Sequence, residues 1–157
     1  MPTILLVDVN AERLEMSAKA VDPDETINGA EVDVVARVME LTGGRGADVV
    51  ITATAANVTQ EQAIAMAARN GRISFFGGLP KTDPTITLDS NVVHYRQLHI
   101  HGANGSAPEH NKRALEYIST GQVPVKDLIT EHIPLDRVLD AFTIVKNGEA
   151  IKVTVEP

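Results

Sequence analysis

The sequence predicts an α/β fold with a doubly wound, mainly parallel sheet, and two observations predict it. Short apolar runs of strand length take turns with segments of helical periodicity from Thr3 to Phe76, the signature of βαβ units. The first of these runs ends in a carboxylate and passes at once into a helical segment. In a doubly wound fold that is the place where an acid meets the ribose hydroxyls of a dinucleotide.

The elements follow in order. Thr3 to Asn10 (T-I-L-L-V-D-V-N) is the first strand, and Ala11, Leu14, Ala18 and Val21 recur at helical spacing after it. Asp24 to Asn28 is a short second strand. Val34, Val38 and Leu41 mark the next helix, which stops at Gly43 and Gly44 because glycine takes the left-handed conformation of a helix terminus without penalty. Ala47 to Thr52 (A-D-V-V-I-T) is a third strand, Val58 to Ala68 an alanine-rich helix, and Arg72 to Phe76 (R-I-S-F-F) a fourth strand running into Gly77-Gly78.

Beyond Pro80 the pattern loosens. Thr85 to Leu88 and Leu98 to His101 read as short strands, and Ser106-Ala-Pro-Glu109 reads as a capping box for a helix through Ile118 that Gly121 closes. A last helix spans Leu135 to Lys146 with Val138, Ala141, Phe142 and Val145 on its apolar face and Gly148 just past its end. The chain finishes on the alternating strand Ile151, Val153, Val155, and the region of Pro124 is the one plausible seam.

Asp8 is the acid at the end of the first strand. A glycine fingerprint that cradles a pyrophosphate belongs about 20 residues upstream of such an acid, yet seven residues precede Asp8. The expectation is a sheet that lacks its first strand and its phosphate loop. By itself an acid after a strand is also a common helix-initiating residue.

Composition bounds the function classes. With 157 residues and 43% hydrophobic content the chain can bury an ordinary core. Neither a leader pattern nor a stretch approaching 18 apolar residues is evident, so membrane insertion and secretion are not expected and the cytoplasm is the expected compartment. A net charge of −7 and 3% aromatic residues disfavour nucleic acid as a partner. With no cysteine, metal chemistry would fall to five histidines.

The segments V-D-V-N-A-E-R-L, L-T-G-G-R-G-A-D-V-V-I-T-A-T, G-R-I-S-F-F-G-G-L-P, D-L-I-T-E-H-I-P-L-D and K-N-G-E-A-I-K-V resemble, in order and over nearly the whole chain, the second half of a zinc-type medium-chain alcohol dehydrogenase. The branch they resemble is that of sorbitol and threonine dehydrogenases. The resemblance implies a Rossmann-like cofactor domain over residues 1–124, followed at 125–157 by a helix and strand that return to the catalytic domain. It also implies the cofactor NAD and a catalytic zinc. No match to the family's zinc-binding cysteine, to its His-Glu pair or to its GroES-like domain is present, so no catalytic residue and no metal ligand is assigned.

What the resemblance leaves is part of a cofactor cradle. Asp8 would accept the adenosine ribose hydroxyls and favour NAD over NADP, because a 2′-phosphate would meet a carboxylate. Arg13, one helical turn on, is the counterweight that would stack on adenine or tolerate a phosphate. Ala53 and Thr54 stand where the family has an Ala-Thr-Gly turn, with Ala55 replacing the glycine and Thr52 where an acid is common, which predicts a less snug turn. The stretches around Phe76 and Gly77, and around Ala103 and Asn104, match those that hold the nicotinamide carboxamide. Lys152 matches a basic residue that reaches the pyrophosphate.

Two motifs invite a sharper reading than they support. Gly43-Gly44-Arg45-Gly46 mimics a phosphate loop, but it leaves a helix C-terminus instead of opening a helix N-terminus, where free N–H groups attract anions; it reads as an αβ turn. His99 and His101 share a strand face and would make two metal ligands, yet a third is not evident, and solvent-facing histidines on an edge strand are the plainer reading.

The functional expectation is thus a partial NAD-dependent dehydrogenase of the polyol or secondary-alcohol type, inactive alone and open to complementation by a separate catalytic-domain chain. The alternative is a non-catalytic association module that keeps the fold. In the order 3-2-1-4-5-6 the missing strand is central, which leaves Thr3 to Asn10 and Ala47 to Thr52 as unpaired edges. Either these two strands close up and pair directly or a second copy of the chain supplies the pairing, and the expected consequence is a homodimer or larger assembly built at least partly through sheet edges.

Overall fold

A computed structural model describes residues 2–123 and 125–157. Met1 and Pro124 lie outside the described residues, and the seam expected at Pro124 therefore falls there. The chain divides into two compact units.

One unit joins Met1–Val32 to Ser106–Pro157. Strand β1 (Leu5–Asp8) leads into helix α1 (Ala11–Val21) and returns to strand β2 (Glu25–Asn28), which pairs with β1 in parallel, Asp8 opposite Asn28. This crossover is the predicted βαβ unit. Asn10 caps α1, its Oδ1 accepting the N–H of Arg13 at 2.9 Å, and such a cap stabilises a helix by about 1 kcal/mol. Leu14 and Ile27 form the buried seam between helix and strands.

The remainder of this unit comes from the C-terminal segment. Helix α5 (Pro108–Ser119) is capped by Ala107, whose N–H donates to His110 Nδ1 at 3.1 Å. The predicted Ser106–Glu109 box does not form, because Pro108 takes the first helical position and moves the cap one residue on. Strand β6 (Glu131–Pro134) and strand β7 (Val153–Glu156) pair in parallel around helix α6 (Val138–Asn147). The sequence reading had no strand at β6. Gly148 ends α6 at φ 74°, as predicted. Of the four residues predicted for the apolar face of α6, Ala141 is buried while Phe142 and Val145 are exposed.

The other unit is Asp33–Gly105. Helix α2 (Val34–Leu41) opens on Asp33, whose side chain accepts the N–H of Ala36, and closes on the glycine turn, where Gly43, Gly44 and Gly46 all have positive φ. The plain αβ-turn reading of that motif holds. Strands β3 (Ala47–Thr52), β4 (Ala67–Phe75) and β5 (His99–Gly102) form a parallel sheet in that order. Helix α3 (Asn57–Met66) packs Ala63, Ile64 and Met66 into the core with Val50 and Ile73. Helix α4 (Ser90–Arg96), absent from the sequence reading, connects to β5.

The predicted strand at Thr85–Leu88 is not one. Its backbone is held by helix α3 instead: Asn57 Nδ2 donates to the carbonyl of Thr85 at 2.6 Å, and Glu61 Oε1 accepts the N–H of Thr87 at 2.8 Å. Side chains thus satisfy groups that a neighbouring strand would otherwise have to. Helix α3 ends two residues earlier than predicted, and β4 begins at Ala67 with an irregular stretch in which Asn70 has φ 58°.

Candidate functional site

The predicted site residues fall into two groups, one in each unit. In the first, Asp8 ends β1 with its carboxylate gripped by Arg13, whose Nε donates to Oδ2 and Nη2 to Oδ1, both at 2.7 Å. The N–H of Asn10 donates to Oδ1 at 2.9 Å. Burial by itself raises the Asp8 pKa, but the Arg13 hydrogen bond, the Asn10 N–H and the Arg13 charge outweigh it and hold the carboxyl below the usual aspartate value. The same pair raises Arg13 above its ordinary value, its hydrogen bond to Asp8 outweighing desolvation. Asp8 is therefore an anion at neutral pH.

A paired carboxylate is not a closed one. Two oxygens offer about four acceptor sites; hydrogen bonds from Arg13 and the Asn10 N–H take three of them, and the Val9 N–H also bears on the carboxylate. The side chain keeps 24% of its surface exposed. Gly148 also belongs to this corner: a Cβ there would lie 2.7 Å from Asn10 Nδ2 and 3.2 Å from the second terminal guanidinium nitrogen of Arg13.

Lys152, in the same unit, is exposed and leads into β7. Its carbonyl accepts the N–H groups of Thr130 and Glu131 at 3.1 and 3.3 Å, so its backbone is fixed and its side chain is free to sweep solvent. No ion pair or hydrogen bond joins it to Asp8. An open depression of about 290 Å³ lies on the flank of α1, lined by Leu14, Glu15, Thr26 and Asn28 among others, with Asp8 outside the lining.

The second group occupies the C-terminal ends of three parallel strands, where doubly wound folds bind ligands. Ala53 and Thr54 follow β3, Phe76 and Gly77 follow β4, and Ala103 and Asn104 follow β5. The Gly77 N–H donates to the Thr52 carbonyl at 2.7 Å and the Ala103 N–H to the Phe75 carbonyl at 3.2 Å, which ties the three turns into one rim. A Cβ on Gly77 would lie 2.5 Å from the Thr54 carbonyl oxygen and 2.7 Å from its nitrogen. Glycine is required there by close backbone approach.

One residue of this rim escaped the sequence reading. Gln60, buried on α3, donates from Nε2 to the carbonyl of Gly77 at 3.2 Å. A glutamine among alanines on the core side of a predicted helix was the available signal, since a buried amide must find partners. Thr52, where the family often has an acid, is buried, and its hydroxyl lies 3.4 Å from the Ser74 carbonyl it donates to.

The two histidines behave as the plain reading anticipates: His99 and His101 project from one face of β5 with parallel rings 6.4 Å apart, both exposed. Among the described residues no group of three or more His, Asp or Glu side chains is placed to hold a metal ion. The donor set does not fit a catalytic zinc, and no zinc step is derived from it.

Comparison with known proteins decides the family. The family described as zinc-binding dehydrogenase matches residues 1–120. The chain belongs to that family. It is 31% identical over 158 aligned residues to an alcohol dehydrogenase of Cupriavidus necator, covering 99% of this chain and 43% of that protein. A sorbitol dehydrogenase of Halalkalibacterium halodurans is 28% identical, with 99% of this chain and 45% of the relative covered. Among solved structures, an alcohol dehydrogenase zinc-binding domain protein from Burkholderia ambifaria superposes with a TM-score of 0.87 at 25% identity, covering 98% of this chain and 41% of that one. The chain thus spans less than half the length of these dehydrogenases, and the fold they share with it is Rossmann-like. The part of the family it matches is the cofactor-binding domain.

Proposed function

We propose that the chain binds the adenosine half of NAD as the cofactor-domain portion of a polyol or secondary-alcohol dehydrogenase, and that these 157 residues alone do not catalyse hydride transfer. The observation that carries this reading is the Asp8 carboxylate at the end of β1, kept ionised by a two-pronged Arg13 pair and still 24% exposed. Bound NAD supplies the hydride acceptor. The protein's own part, within the unit that holds Asp8, is to bind the adenosine end: Asp8 accepts from the ribose and Lys152 neutralises pyrophosphate charge, while the rim at Thr54, Gly77 and Ala103 in the other unit is assigned to nicotinamide contact by family resemblance alone. A 2′-phosphate would face the Asp8 anion, so NAD is preferred to NADP.

The segment 125–157 is proposed to return to a catalytic domain, supplied by the same or a separate chain, and the exposed Leu135, Leu139 and Phe142 near and along α6 suit that role. The compartment proposed is the cytoplasm. Without a pyrophosphate loop several charge-assisted bonds, worth roughly 1.5–3 kcal/mol each, are missing, and binding by the 157 residues is expected to be millimolar or weaker. Calorimetric titration with NADH and NADPH tests the reading. Weak NADH binding that exceeds NADPH binding supports it; tighter NADPH binding sinks it.

A second reading has its own support. Strand β1 carries exposed Val7 beside exposed Ile4 and Val9, and β3 carries exposed Val49 and Ile51 at the edge of its sheet. Unpaired apolar edges invite pairing with another chain, so a non-catalytic association module that forms homo-oligomers is the alternative. Light scattering that finds a stable monomer at micromolar concentration would eliminate it.

A further inference from the structure

We infer that Gly148 is a positioning residue for the ribose end of the site: the space left by its missing side chain is where Asn10 and Arg13 hold the Asp8 carboxylate. The inference rests on the cofactor reading above for its functional meaning, but the holding of Asp8 is a property of the chain alone.

Three observations carry it. Gly148 is buried and sits at φ 74°, turning the chain at the end of α6 so that its Cα faces the start of α1. The atoms a Cβ would meet there are Asn10 Nδ2 at 2.7 Å, Arg13 Nη1 at 3.2 Å and Asn10 Cγ at 3.7 Å, all on side chains. The Arg13 side chain grips both Asp8 oxygens, and the Asn10 side chain holds Arg13 in turn, its Oδ1 accepting the Arg13 N–H as the cap of α1, while the Asn10 backbone N–H reaches Asp8 Oδ1. Because the obstructed groups are side-chain ends, the fold can yield to a larger residue at 148. What yields is the geometry around Asp8.

Backbone strain must be separated from contact, and Gly121 allows it. Gly121 has φ 72° at the end of α5, and a Cβ there would meet nothing within 4 Å. Alanine at either position bears the same left-handed penalty; alanine at 148 alone pushes on Asn10 and Arg13.

The experiment follows the Asp8 carboxyl carbon by NMR across acid pH in the 157-residue chain, in Gly148→Ala and in Gly121→Ala. The expected result is that Gly148→Ala moves the Asp8 midpoint up towards that of an ordinary aspartate and broadens the Arg13 Nε–H signal, while Gly121→Ala leaves both where they were. Equal Asp8 midpoints in the two variants overturn the inference. Should Gly148→Ala fail to fold, the unaltered chain decides: proton–proton contacts from the Gly148 Hα to the Asn10 side-chain amide are required, and their absence overturns the inference. NADH titration of the unaltered chain is scored separately. A chain that ignores NADH defeats the cofactor reading, whereas the Asp8 titration, made without nucleotide, still decides how Gly148 acts.

Discussion

The Asp8 corner and the Thr54–Gly77 rim hold their functional groups by opposite means. At Asp8 every restraint involves a side chain: the Arg13 fork is side chain on side chain, and the Asn10 cap and the Asn10 N–H on Asp8 are backbone donors on side-chain oxygens, at partly exposed positions and tuned by charge. At the rim the restraints are backbone on backbone, with Gly77 pressed against Thr54 and its carbonyl tied to buried Gln60. The first arrangement is sensitive to pH and salt and tolerant of small shifts. The second is insensitive to both and intolerant of a single methyl group.

The contrast breaks most visibly at Gly77. Gly77→Ala puts a methyl within 2.5 Å of the Thr54 carbonyl, where backbone must move, and overpacking of this kind costs about 1–3 kcal/mol. Thermal unfolding of the 157-residue chain is expected to fall by several degrees, far more than for Gly78→Ala, which meets nothing within 4 Å. Similar melting temperatures for the two would show the rim to be soft.

Gln60→Ala comes next. It strips the part-buried Gly77 carbonyl of its side-chain donor, and the loss of such a hydrogen bond costs about 0.5–1.5 kcal/mol. Chemical denaturation should show a lower midpoint with an unchanged slope. No change in the midpoint would mean that the Gln60 bond contributes nothing net.

The smallest effect is at Arg13, and it is the one that depends on pH. Because the Asp8 pKa is depressed in the fold, the pair's contribution is fully present above the ordinary aspartate value of about 3.9. It fades as pH falls through the folded value below that. Arg13→Gln should therefore lower stability near neutral pH by no more than about 1 kcal/mol, and the difference from the parent should vanish in acid. A difference that persists at the lowest pH would assign the effect to lost packing of the Arg13 stem.

How much of this was legible in the sequence follows from where the decisive contacts lie. Elements whose signals are local were readable: the β1–α1 junction at Asp8, the glycine turn after Leu41, and Gly148 at the end of α6. Thr85–Leu88 alternates like a strand, but its backbone partners sit on α3, 26 to 28 residues away, and alternation does not reveal a competing side-chain partner. Phe142 and Val145 have helical spacing yet face solvent, since periodicity names an apolar face without saying what covers it. In the site, Asp8, Arg13 and the three strand-end turns were readable by resemblance. Gln60 and the contact of Gly148 with Asn10 were not, because each joins segments distant in sequence.

Asp8, gripped by Arg13, is proposed as the chain's contact with the cofactor's adenosine ribose. NMR titration of isotope-labelled chain with NADH tests it most directly, read at the Asp8 carboxyl and the Arg13 Nε–H and repeated with Asp8→Asn. The account predicts saturable shifts at both groups in the millimolar range, on the order of −4 kcal/mol, lost or sharply weakened in Asp8→Asn. Shifts that are equally large in Asp8→Asn, or that fall elsewhere and leave Asp8 and Arg13 unmoved, would contradict it.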